Sequence, residues 1–290
     1  MSTVATTASR SEFGTVLRHL LKDPLGLVGL VIVSAVVLSA LFADWIVPYD
    51  PIALNIKDRL QGPSWAHLLG ADQLGRDTLS RVIMGGRVAL QVALPTIGGA
   101  ILIGLVLGMV AGFGPRWLDN LIILLLDTIH SFPTVMFALA VVALVGPSLE
   151  TVIVVIMLTS IPTYGRVVRT QTLSLRNAEF ILAERSMGAT TPRMLGFHVL
   201  PNVMGPLAVL AAMDIPTVIA LEAGLSFLGM GVKPPTPSWG SILNDGYTLI
   251  RNTPWLIIAG GIPLILTTLG FTFLGESLRD VIDPKLRKER

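Results

Sequence analysis

VALQVALPTIGGAILIGLVLGMVAGF, residues 88–113, carries no charged side chain. A helix of about 20 mostly apolar residues suffices to cross the hydrocarbon of a bilayer, and this run is longer. Further apolar stretches at 25–47, 121–145, 149–164, 203–227 and 255–274 are the other candidate spans. The expectation is an all-α polytopic membrane protein with six transmembrane helices. The 203–227 stretch differs from the rest, because Pro206, Asp214, Pro216 and Glu222 fall within it. Helix-breaking and ionisable residues at membrane depth need neighbouring protein or a water-filled cavity. That suggests a bundle around a path rather than isolated anchors.

Composition agrees. Of 290 residues, 52% are hydrophobic and 14% charged, where a soluble domain carries about 25% charged residues. The net charge is +2, with no basic stripe interleaved with aromatics, so nucleic acid is not an expected partner and membrane lipid is. There is no cysteine, which excludes disulfides, thiol catalysis and cysteine-ligated metals. The first apolar stretch exceeds the roughly 7–15 residue core of a cleaved signal peptide and reads as an uncleaved span.

Six spans place both termini on one side. Of the 21 Lys and Arg residues, 14 fall on that side, close to span ends, and 7 on the other. The positive-inside rule then puts both termini in the cytoplasm. The organisation follows: a cytoplasmic segment 1–24, a first span 25–47, an external loop 48–87, a five-helix core 88–278 and a cytoplasmic tail 279–290. Within the core, 114–120 and 165–202 are cytoplasmic and 229–254 is external. No internal repeat or low-complexity tract stands out.

Few residues offer chemistry. A phosphate-cradling loop needs glycines before a Lys-Ser or Lys-Thr pair, and none of Lys22, Lys57, Lys233, Lys285 and Lys288 has that setting. The four histidines are scattered, without a paired metal-binding spacing. No metal site, catalytic residue or cofactor is expected in this chain. Asp127, His130 and Ser131 lie inside the third span. Together with Asp214 and Glu222 they line a path or fix packing against a neighbour. Phe132-Pro133 should kink the third span, because proline removes an internal hydrogen bond.

The loop YGRVVRTQTLSLRNAEFILAERSMGATTPRMLGFHVLPN, residues 164–202, is the most informative. A helix-compatible run, Asn177–Met187, ends at Gly188, a residue that stops helices by reaching left-handed angles cheaply. Thr191-Pro192 then opens a second short helix, with proline in the tolerated first turn. This compact knob reads either as an amphipathic surface helix or as a docking element that enters a partner's groove.

The same loop resembles the "EAA" loop of binding-protein-dependent ABC permeases. Leu182-Ala183-Glu184, Gly188 and Val199-Leu200-Pro201 occupy the positions of that pattern, with Leu182 and Glu184 departing from its first and third alanine-or-glutamate positions. Other stretches resemble the second permease subunit of the oligopeptide/dipeptide/nickel branch. They are HLLGADQLGRDTLSRVIMGGRVAL (67–90, with Ala71 where threonine is usual), LLLDTIHSFP (124–133), EAGLSFLGMGVKPPTPSWG (222–240) and LRDVIDPKLR (278–287).

The resemblance implies a type I ABC importer permease fold in a bacterial cytoplasmic membrane. It implies a homologous second permease completing the path, and two cytoplasmic ATPase subunits that bind ATP and Mg. It also implies an external binding protein or lipoprotein delivering di- or oligopeptides. Ala183, Glu184, Arg185, Gly188, Leu200 and Pro201 then belong to the ATPase-coupling loop. Three rivals remain open from the residues: the same architecture carrying nickel or another small solute, a secondary transporter or channel using Asp127 and His130, and an intramembrane enzyme.

Overall fold

In the computed structural model of the chain, residues 20–282 are described. Among them, regular structure is helical apart from one isolated antiparallel pairing of Ala71 with Asp77. The helices are α1 (Pro24–Leu41), α2 (Ala43–Ile46), α3 (Thr78–Phe113), α4 (Arg116–His130), α5 (Thr134–Val145) and α6 (Leu149–Arg176). They continue as α7 (Glu179–Ser186), α8 (Thr191–Met194), α9 (Leu200–Phe227), α10 (Trp239–Thr248) and α11 (Trp255–Ile282). A wide π turn, Leu195–Val199, joins α8 to α9. α1, α3, α6, α11 and α9 with its lead-in are each long and apolar enough to cross a membrane; α4 and α5 together make a sixth crossing if counted as one.

The third span is the largest departure from a simple helix. α4 and α5 meet at 82°. Pro133 supplies no N–H and precedes the new helix, so the expected kink is a break. Other boundaries shift as well. α3 starts at Thr78 rather than 88, because the Asp77 carboxylate caps it, accepting from Ser80 N at 2.7 Å. Hydropathy marks only the part of a helix that meets lipid, and this helix continues beyond it. α6 likewise runs through residues 165–176, so the loop expected over 165–202 begins at Asn177. The first span ends at Leu41 instead of 47, α10 occupies part of the loop expected over 229–254, and α11 runs past 278 to Ile282. The expected segments 1–24 and 279–290 fall mostly outside the described residues.

α3 and α6 run side by side in the same direction, and the reason is a stripe of small residues. Gly104, Gly108 and Gly112 recur every fourth position, on one face of α3. A Cβ at these positions would come within 2.7 Å of Tyr164, 2.5 Å of Val168 and 2.7 Å of Thr172. Without a hydrophobic drive between helices in lipid, such close approach is the main source of packing energy. Tyr164 is thereby fully buried.

The loop before α3 is folded, not slack. Asp72 accepts from the backbone N of Leu74 and of Arg76 and from Arg76 Nε at 2.7 Å. Arg81 Nε lies 3.4 Å from the same carboxylate. Both guanidiniums reach toward Asp245 on α10, at 3.9 and 3.8 Å. Trp239 of α10 donates its indole N–H to Val82 O of α3 at 2.9 Å. One end of the bundle is therefore closed by a charged cluster that joins this loop, α3 and α10.

Candidate functional site

The opposite end carries the knob, α7–α8 with the π turn. α7 stops where the glycine stands. Gly188 has φ +85°. Its N–H donates to Arg185 O and that of Ala189 to Glu184 O, both at 3.1 Å. These two bonds form a Schellman closure, which satisfies carbonyls the helix end would leave bare. Glu184 then reaches forward: its Oε1 lies 3.0 Å from His198 Nε2, and the His198 ring sits edge-on to Phe180 at 6.0 Å. So Glu184, at a position where the resemblance expects alanine, ties α7 to the π turn.

Ile181 and Met194 are buried inside the knob, whereas Phe180, Leu182, Met187 and Phe197 are exposed. Ala183, Arg185 and Gly188 are exposed as well. Leu200 and Pro201 form the first turn of α9, with proline at the tolerated start. The knob thus presents an apolar, solvent-facing surface held by an ordered frame.

The intramembrane candidates divide into two kinds. Glu222 is 1% exposed and accepts from Ser226 Oγ at 2.6 Å; it lies beside Ser238, which caps α10. That is a stitch between α9 and α10. Asp214 is half-buried on α9 beside the buried hydroxyl of Tyr164. Asp127 and His130 are exposed on α4. Asn120, Asp127 and Ser131 recur at helical spacing, and with His130 they give α4 one polar face in the isolated chain.

Two ion pairs link α4 to α6. Arg169 grips Asp119 bidentately, at 2.5 and 2.7 Å. Arg166 approaches Asp127 at 3.6 Å. Neither arginine was singled out by the sequence reading, which placed both in a loop. The signal was available: charged residues three apart continuing the helical period of 149–164.

Comparison with known proteins decides what this arrangement is. Residues 104–288 match the family described as binding-protein-dependent transport system inner membrane component. Residues 11–63 match the N-terminal TM domain of oligopeptide transport permease C. The chain belongs to this family of ABC importer permeases, as a C-type subunit. The permease is 38% identical over 93% of its length, and 89% of the relative's, to a protein of Alkalihalophilus pseudofirmus named dipeptide transport system permease protein DppC. It is 38% identical over 89% of its length, and 88% of the relative's, to a di/tripeptide transport system permease protein of Pseudomonas aeruginosa. A glutathione transport system permease protein of Pectobacterium atrosepticum is 37% identical over 93% of the permease and 90% of the relative. Among solved structures, a chain of the MetNI methionine ABC transporter superposes with TM-score 0.57 at 18% identity, covering 69% of the permease and 96% of that chain. An amino acid ABC transporter gives 0.51 at 13%, covering 72% and 94%. These likenesses show the ABC importer permease fold.

Proposed function

We infer that the permease forms half of the translocation path of an ATP-driven importer of dipeptides and short oligopeptides. The observation that carries this reading is its 38% identity, nearly end to end, to a dipeptide permease. A second, homologous permease completes the path. Two ATPase subunits receive the knob on one side, and an external binding protein delivers peptide on the other. Those ATPases hold ATP and Mg; this chain performs no hydrolysis and needs no cofactor. The knob end and both termini face the cytoplasm of a bacterium, in line with the Lys and Arg bias.

The coupling element is the exposed part of α7 with Ala183 and Arg185, held by the Glu184–His198 tie, ended by Gly188 and returned to the membrane at Leu200-Pro201. The polar face of α4, with Asp127 and His130, lines the path, since polar groups at membrane depth face protein or water. Asp214 and Glu222 serve packing.

Reconstitution tests the whole. The permease with its partner permease, ATPases and binding protein should take up dipeptide in an ATP-dependent way, and the permease alone should hydrolyse no ATP. In this cysteine-free chain, an impermeant thiol reagent outside cells should label Cys at exposed Thr236 and not at exposed Thr190. Labelling at Thr190 would invert the orientation. Cys at His130 or Ser131, both exposed at the far end of α4, should react with a water-soluble reagent in the assembled transporter; if both stay unreactive, α4 does not line the path.

A further inference from the structure

We propose that Asp127 and Arg166 form a dyad that reads the charged termini of a peptide in transit, a reading that rests on the assignment of the α4 face to the path. The chemistry of the cargo sets the problem. Short peptides differ in every side chain but share an amine and a carboxylate. They share the backbone amide as well, but the two termini are the only charged groups common to all, and these are what a path can read by charge.

The two ion pairs between α4 and α6 differ in the way this task requires. Asp119 and Arg169 are closed, bidentate and mostly buried, with side-chain exposures of 17% and 28%. Asp127 and Arg166 are 55% and 39% exposed, and their 3.6 Å separation exceeds hydrogen-bond reach. Arg166 is steadied at one point, where its Nε donates to Pro162 O at 3.3 Å. Its Nη1 lies 3.6 Å from Asp127 Oδ1, and the side chain is 39% exposed. An exposed, unbonded pair opens at little cost.

Each partner suits one end of a peptide. A guanidinium takes a carboxylate through two parallel hydrogen bonds, and a carboxylate accepts from an ammonium. The termini of an extended dipeptide stand about 6–7 Å apart, so the pair must separate by a few ångströms. The flexible stem of Arg166 allows that. Asp119–Arg169 keeps α4 and α6 together while it happens.

The test pairs residue with substrate group. The complete transporter is given three probes: a free dipeptide, its N-acetyl form and its C-terminal amide, each at a concentration that saturates the binding protein. Arg166→Gln should cut uptake of the free and N-acetyl forms about tenfold, the worth of one charged hydrogen-bonded contact, and leave the amide unchanged. Asp127→Asn should cut uptake of the free form and the amide and leave the N-acetyl form unchanged. Equal loss on all three probes, with normal membrane level and co-purification, overturns the dyad while leaving the path reading in place. Loss of co-purification with the partner permease shows the pair to be a subunit contact, which also overturns it. No loss on any probe removes both residues from recognition, and the His130 and Ser131 thiol labelling then decides separately whether α4 lines the path.

Discussion

The two ends of the bundle handle charge in opposite ways. In the cluster formed by the loop before α3, Asp72, Arg76 and Arg81 are 2%, 6% and 3% exposed. Their partners lie in the same chain. At the knob, Glu184 and His198 keep 26% and 30% side-chain exposure, and Phe180, Leu182, Met187 and Phe197 face outward. At the first end the buried charges are paired within the chain, although Leu54, Ile56 and Trp65 of the same loop face outward. The second leaves both its charged pair and several large apolar side chains uncovered, the form of a surface that waits for another protein. Mutations should therefore damage the fold at one end and the coupling at the other.

Asp72→Ala is the strongest way to break that contrast. It strands two buried guanidiniums, and removal of one member of a buried pair costs about 3–5 kcal/mol. The purified transporter should melt at a markedly lower temperature, with less protein reaching the membrane. Unchanged melting would mean the cluster is no more structural than the knob.

Gly188→Val comes second and should show the reverse pattern. A β-branched residue at left-handed angles is a steric outlier, and the handedness penalty is about 1–2 kcal/mol. A Cβ there meets nothing within 4 Å, so the cost is backbone strain confined to the knob. Membrane level should stay normal while ATPase co-purification and uptake fall, beside a control outside the knob, the exposed Thr248→Val on α10. Normal uptake would remove the Schellman closure from the coupling reading.

A smaller effect is expected from pH. His67 sits between Asp77, at 2.9 Å, and Asp58, at 3.4 Å. Burial of the ring favours its neutral form, but the two carboxylates outweigh that and raise its pKa above 6.5. The group therefore adds stability that is fully present below about pH 6.5 and lost as pH rises through the folded value. Melting compared at about pH 5.5 and about pH 8.5 should show this loss, and His67→Gln should flatten it. Smallest of all is Glu184→Ala. Its half-exposed pair with His198 is worth about 0–1 kcal/mol, so melting should stay within error even if coupling weakens.

Much of this was legible in the residues. Hydropathy located the crossings, Gly188 announced the end of α7, and Pro133 marked the break in the third span. The late start expected for α3 and the early end expected for α6 share one cause. Apolar runs report contact with lipid, whereas α3 and α6 keep their helical hydrogen bonds beyond it. Thr78–Arg87 and 165–176 are polar enough to read as loop, yet each packs against another element. The buried charge cluster was hidden for a related reason. Asp72, Arg76 and Arg81 are near in sequence, but their partner Asp245 lies far along the chain, and only the fold brings it close. The polar face of α4 could have been found by spacing alone, from Asn120, Asp127 and Ser131. What spacing does not supply is the identity of the residues across from it, Arg166 and Arg169.

The glycine stripe of α3 has a further consequence. Three seats, four residues apart, form a ratchet with teeth about 6 Å apart. Sliding α6 by one tooth would return a small residue opposite a larger one, so the stripe fixes the distance between the helices more firmly than their register. Something else has to choose the tooth. Arg176 Nη1 bonds Gly112 O at 3.2 Å, at one end of the stripe. Asp119 holds Arg169 through the short α4 that follows directly from α3. These two contacts act as the pawl: they are polar, directional and lost on a slip of one turn.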